Sequence, residues 1–146
     1  MITPPWLTHD GDSSTINRFC TNDINENLSV GHGIGAEALA TGVFVFFACS
    51  VWDSRNAKNT DSVALRFGLC ITMLCLAFMP HSGCSMNPAR SFGPAVWNGY
   101  WTHHWIYWLG PIVGSIISAS VYRCLFWKDQ ENTRMQDVGT FNGIET

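Results

Sequence analysis

The chain has 146 residues, of which 47% are hydrophobic and only 13% charged, with a formal net charge of −3. That is about half the charged share of an ordinary soluble domain. The eight basic residues are scattered rather than gathered into a patch or stripe, which argues against a nucleic-acid partner.

Residues 1–32 are polar, rich in Asn, Asp, Ser and Thr, and read as a loop; their start offers neither a basic leader nor a continuous apolar run. They carry one glycosylation sequon, Asn27-Leu28-Ser29, which makes Asn27 a candidate acceptor a few residues from the first apolar segment. Residues 34–52, IGAEALATGVFVFFACSVW, contain a single charge, Glu37, and are long enough to cross a hydrocarbon core of roughly 30 Å. A polar connection at 53–62 leads to a second span at 63–80, with Arg66 near enough to one end to snorkel. Residues 81–103 form a mixed loop, 104–127 a third span, and 128–146 a polar tail. Three such helices cannot all be buried in so small a core. The predicted fold is therefore an all-α membrane domain over 33–127, with three transmembrane helices.

Basic residues set the expected orientation. Arg55 and Lys58 lie in the 53–62 connection, and Arg123, Lys128 and Arg134 in the last span and tail. Both regions are expected to be cytoplasmic, with 1–32 and 81–103 outside. Trp97, Tyr100, Trp101, Trp105, Tyr107 and Trp108 crowd the outer end of the third span, as in an interfacial aromatic belt, and Trp127 marks its inner end.

The stretch GCSMNPARSFGPA, residues 83–95, is the richest in chemistry. Asn87 is a favoured N-cap and Pro88 suits the first helical position, which predicts a short helix from Pro88 to about Trp97. Pro94 falls inside it and is expected to kink or shorten it. A short apolar helix beside two spans can re-enter the membrane, where irregular backbone is tolerated only if buried or lining a cavity. Gly83, Cys84 and Ser85 would then run extended and present carbonyl oxygens. The helix N-terminus and the Asn87 amide would present donors. Arg90 would add a fixed cation that repels protons and other cations. The competing readings are a plain Asn-Pro turn and an arginine that contacts lipid headgroups. Glu37, costly inside a span, should face the interior and hold loop N–H groups; the alternative is a protonated, packed side chain.

The six cysteines form no C-x-x-C pair. Most lie in or beside apolar runs, where a thiol behaves as a small hydrophobe. His81 and Cys84 have a ligand-like spacing without a third ligand nearby, and GCSMN lacks the last glycine of a nucleophile elbow, so neither a metal centre nor an enzyme is expected. Gly110 and Gly114 in the third span suit close helix packing.

SGCSMNPARSFGPA followed by HHWIYWLGPIVG resembles the second Asn-Pro-Ala region and last span of the aquaporins, the major intrinsic protein family, with wording similar to invertebrate water-type members. The resemblance covers roughly residues 30–127. It implies that the three spans are the family's fourth to sixth, equivalent to the second half of an inverted repeat. It further implies that Asn87, Pro88 and Ala89 are the second signature tripeptide, Arg90 the selectivity-filter arginine, and Cys84 a filter position contributing its carbonyl. Cys75 falls where water-selective members carry histidine, and Glu37 matches the glutamate that braces the loop. The smaller Cys75 would widen the filter towards glycerol or urea, whereas Ser91, Ala95, Tyr107 and Trp108 follow the water-type pattern. No second Asn-Pro-Ala is present. The expectation is a truncated half-pore in a lipid bilayer, without cofactor or metal, for passive movement of water or small neutral solutes in the plasma membrane. It needs a missing N-terminal half and forms homo- or hetero-oligomers with aquaporin chains. The alternative is a non-conducting subunit that associates with full-length aquaporins.

Overall fold

The structure is a computed structural model that describes residues 20–142. It is all-helical among these residues. Helix α1 spans Val30–Val51, a 3-10 turn covers Ser54–Asn56, α2 spans Val63–Ser82, α3 is the short helix Pro88–Asn98, and α4 spans Ile106–Asn142. Three segments, Val30–Val51, Val63–Ser82 and Ile106–Phe126, are long and apolar enough to cross a membrane. They overlap the three expected spans. The first begins earlier because Ser29 caps it, its Oγ accepting from His32 N at 3.3 Å.

Two expectations change. The helix of the third span does not end at its apolar limit. Its backbone stays helical to Asn142, because the polar stretch after Phe126 has no proline and no glycine before Gly139 to stop it. Pro94 does not shorten α3 either: the helix runs through it to Asn98 and closes on Gly99 in the left-handed conformation, φ 68°.

Helix α1 is the centre of the arrangement and packs against both α2 and α4. Its contact with α4 is close backbone to backbone. A Cβ added to Gly114 would lie 2.1 Å from the Ala38 carbonyl oxygen, and one on Gly110 would lie 2.7 Å from the Glu37 Cβ. Ser118 Oγ donates to the Gly42 carbonyl across the same seam at 2.6 Å. Against α2 the packing is aromatic: Phe44, Phe47 and Trp52 surround Phe67, with centroids 5.3–5.8 Å apart.

The connection after α1 is tied to α4. Asp53 is 2% exposed and accepts from Tyr122 Oη at 2.6 Å and from Arg55 Nη2 at 2.7 Å. Donation to the Asp53 carboxylate raises the Arg55 guanidinium pKa above its already high ordinary value. The guanidinium also lies 5.1 Å from the Phe126 ring centroid. At the opposite end, Ile24 is buried with Ile106 and Tyr107, so residues before α1 cover the start of α4. The outward faces remain apolar: Leu65, Leu69, Met73 and Leu76 on α2, and Ile112, Ile116, Ile117 and Leu125 on α4 are all exposed. Such surfaces suit lipid or further protein.

Gly114→Ala should be strongly destabilising, because its Cβ would meet backbone that can yield only by separating α1 from α4; overpacking of this kind costs about 1–3 kcal/mol or more. Gly68→Ala, where a Cβ meets nothing within 4 Å, should leave the unfolding midpoint unchanged or raised. Thermal unfolding of both variants in detergent compares the two.

Candidate functional site

The site is assembled where α2 ends and α3 begins. Pro80 removes one helical N–H, and the last carbonyls of α2 need outside partners. Asn25 supplies them. Its backbone N donates to His81 O at 3.0 Å and its Nδ2 donates to Pro80 O at 3.1 Å. Gly83 then caps α2 at φ 77°, its carbonyl accepting from Asn22 Nδ2 at 2.9 Å.

The loop from Gly83 to Met86 is not extended, as the sequence reading expected. Cys84 (φ 48°) and Met86 (φ 53°) join Gly83 in the left-handed region. For residues with a Cβ this costs about 1–2 kcal/mol each. The compensation comes from Glu37, which is completely buried on α1. Its Oε1 accepts from Ser82 Oγ at 2.6 Å and Ser85 N at 2.9 Å, and its Oε2 accepts from Met86 N at 2.8 Å. Left-handed residues turn successive N–H groups to one side, and there one carboxyl group collects two of them.

The opposite side of the loop carries carbonyls. Arg90 Nη1 donates to the Cys84 carbonyl and, at 3.4 Å, to the Ser85 carbonyl. Asn87 caps α3 through Oδ1, which accepts from Ala89 N at 2.9 Å, so its Nδ2 donors remain available to other partners. Asn87, Ala89 and Arg90 are exposed, and Pro88 is half-buried. The structure thus gathers Gly83, Cys84, Ser85, Asn87, Pro88, Ala89, Arg90 and Glu37 into one turn-and-helix unit.

The two cysteines behave differently. Cys84 has no exposed surface, and its Sγ faces the Leu74 carbonyl at 3.4 Å. Its thiol points into α2 while its carbonyl meets Arg90. Cys75 is half-buried and packs against the Ala40, Leu74 and Cys84 cluster. It also lines an open apolar groove on α2 with Ile71, Leu76 and Met79. Asn27 is exposed at the turn before α1, its Nδ2 donating to Asn25 Oδ1 at 3.3 Å.

Five further residues belong to the unit. Ser82 links Glu37 to the end of α2. Tyr107, placed by the sequence reading in the outer aromatic belt, is instead 1% exposed and donates its hydroxyl to Ser82 O at 3.0 Å. On a helix of period 3.6, Tyr107 turns about 100° from the exposed Trp108, towards Ser82. Ser91 is buried, with its Oγ 2.6 Å from Ser85 Oγ and 2.9 Å from Asn22 Oδ1. Asn22 ties residues before α1 to this network across 61 positions. Phe92 anchors α3 to the start of α4 through Trp101 and Trp108, at 5.9 and 6.3 Å.

Three apolar helices of spanning length, with a short capped helix whose leading loop is held on a buried carboxyl group, describe an integral membrane protein. The profile described as "Major intrinsic protein" matches residues 7–122. Aquaporin-4 of Bos taurus is 38% identical over 134 residues, covering 92% of this chain and 39% of its own length. Aquaporin FA-CHIP of Pelophylax lessonae is 39% identical over 106 residues, covering 73% of this chain and 39% of its own. Aquaporin-2 of Bos taurus is 33% identical over 144 residues, 99% of this chain and 50% of its own. The chain belongs to the major intrinsic protein family. It spans 39% to 50% of the length of these relatives.

Glu37→Ala should leave the Ser85 and Met86 N–H groups unpaired, at about 1–3 kcal/mol each. Glu37→Gln keeps one acceptor oxygen and should lose less. The unfolding midpoints in detergent should rank wild type, Gln, Ala; an Ala variant as stable as wild type would remove the bracing role.

Proposed function

We propose that this chain supplies one half of a membrane pore for the passive movement of water, with the second half-helix coming from polypeptide outside these residues. The observation that carries the reading is the pairing of Arg90 with the Cys84 and Ser85 carbonyls, beside the exposed Asn87 amide. Fixed donors and acceptors in a row can replace the hydrogen bonds a water molecule leaves behind, and a fixed guanidinium opposes cations and protons. Family membership and the aquaporin relatives support the same conclusion.

Residues 81–103 form a re-entrant unit in this proposal, and 33–127 the membrane domain. Asn87, Pro88 and Ala89 sit at the pore centre, and Arg90, the Cys84 carbonyl and Cys75 form the filter. The small Cys75 favours admission of urea or glycerol beside water. The hydroxyl-sized place of Ser91, buried between Ser85 and Asn22, favours the water-type loop. The 53–62 connection and the tail are cytoplasmic, residues before α1 lie outside the plasma membrane, and Asn27 is the glycan acceptor.

The second reading is a non-conducting subunit that binds full-length family members, alone or in mixed oligomers. The exposed Leu65, Leu69, Met73 and Leu76 face of α2 favours it. Co-precipitation with a full-length aquaporin tests it, and absence of association in a shared membrane counts against it.

Osmotic swelling of proteoliposomes decides the main reading. The chain alone should give background permeability. The chain reconstituted with the N-terminal half of an aquaporin should give water permeability, and Arg90→Ala in that pair should admit larger solutes and raise proton leak. Background permeability with both halves folded in the membrane would refute the half-pore.

A further inference from the structure

We propose that His32 and His81 form a two-imidazole site for an exchangeable divalent cation of the zinc, nickel or copper class. The two residues lie 49 positions apart, on α1 and on the last turn of α2. Nε2 of His32 is 3.3 Å from Nδ1 of His81, with ring centroids 5.2 Å apart and planes inclined at 35°. Two nitrogens each bound at about 2.0–2.1 Å to a tetrahedral zinc ion are about 3.3–3.4 Å apart. The observed separation is therefore already that of two neighbouring ligands around one metal ion.

Both rings rest on backbone that is held in place. His32 lies in the first turn of α1, where its own N–H donates to the Ser29 cap. His81 is held through its carbonyl by Asn25 N at 3.0 Å, and its ring lies 6.5 Å from that of Phe78. His32 is exposed and His81 half-buried, so the pair is open to water on one side and supported on the other. Imidazole nitrogens select zinc, nickel and copper over magnesium and calcium, which prefer oxygen.

Without a cation, one ring donates an N–H to the other. On binding, that proton moves to the other nitrogen of its own ring, both imidazoles stay neutral, and no electron is transferred. Among the described residues no group of three or more His, Cys, Asp or Glu is placed to hold a metal ion. The protein thus supplies two ligands and water completes the shell, which suits an exchangeable cation rather than a structural one. Its effect on the fold is local. It cross-links α1 to α2 one residue before Ser82, whose hydroxyl donates to Glu37.

The untagged chain in detergent micelles, titrated with zinc chloride by calorimetry, should bind one equivalent. His32→Gln and His81→Gln should each weaken it by at least about tenfold. The double variant His103→Gln, His104→Gln should bind as wild type does. Zinc K-edge absorption on the wild-type complex, which needs no variant to fold, should show two imidazole nitrogens, oxygen and no sulfur. Sulfur in the shell, binding that survives both single changes, or no binding by a chain with its native helical circular dichroism would overturn the proposal.

Discussion

One carboxyl group organises the described part of the chain. Glu37, buried on α1, takes three donors from the segment that joins α2 to α3. A buried backbone N–H left unpaired costs about 1–3 kcal/mol. A loop with left-handed residues at 83, 84 and 86 cannot pair its N–H groups in a ladder. It persists because Glu37 receives them, and because they are received on one side, the carbonyls of Cys84 and Ser85 are left for Arg90 on the other. Helix packing brings Glu37 to this position. Gly110 must lack a side chain because the Glu37 Cβ occupies that space, and Gly114 lets the two helices approach at Ala38. The small residues of α4 and the acid of α1 are thus parts of one constraint.

Much of this was legible in the chain itself. Apolar length located the three spans, and Asn87-Pro88 located the start of α3, because a cap and a proline at the first position act locally. Glu37 was legible by its expense: a lone acid in an apolar run must find donors. The direction of side chains on the short elements was not legible. Tyr107 reads as one more interfacial aromatic, yet helical phase turns it inward to Ser82. The left-handed loop was also hidden, since Cys84 and Met86 carry no local signal for positive φ and adopt it only because Glu37 rewards it. Asn22 was invisible for a related reason. Its bond to Gly83 spans 61 positions, and nothing near Asn22 in sequence marks it. The helical continuation beyond Phe126 has no hydropathy signal, since polarity ends the apolar stretch and not the helix.

In the half-pore reading proposed above, the bracing contacts bear on how the loop meets a second half. Residues 82–91 make hydrogen bonds with groups elsewhere in the chain, those of Asn22, Glu37 and Tyr107. Arg90 uses only Nη1 on the Cys84 and Ser85 carbonyls, so Nε and Nη2 keep their donors, as does the Asn87 Nδ2. These donors belong to residues that are exposed in the half-structure, where water can satisfy them at little cost. A second half would then exclude lipid and bulk water from groups already in position, without having to order them. Enclosure of preordered donors loses less conformational entropy than folding them on contact.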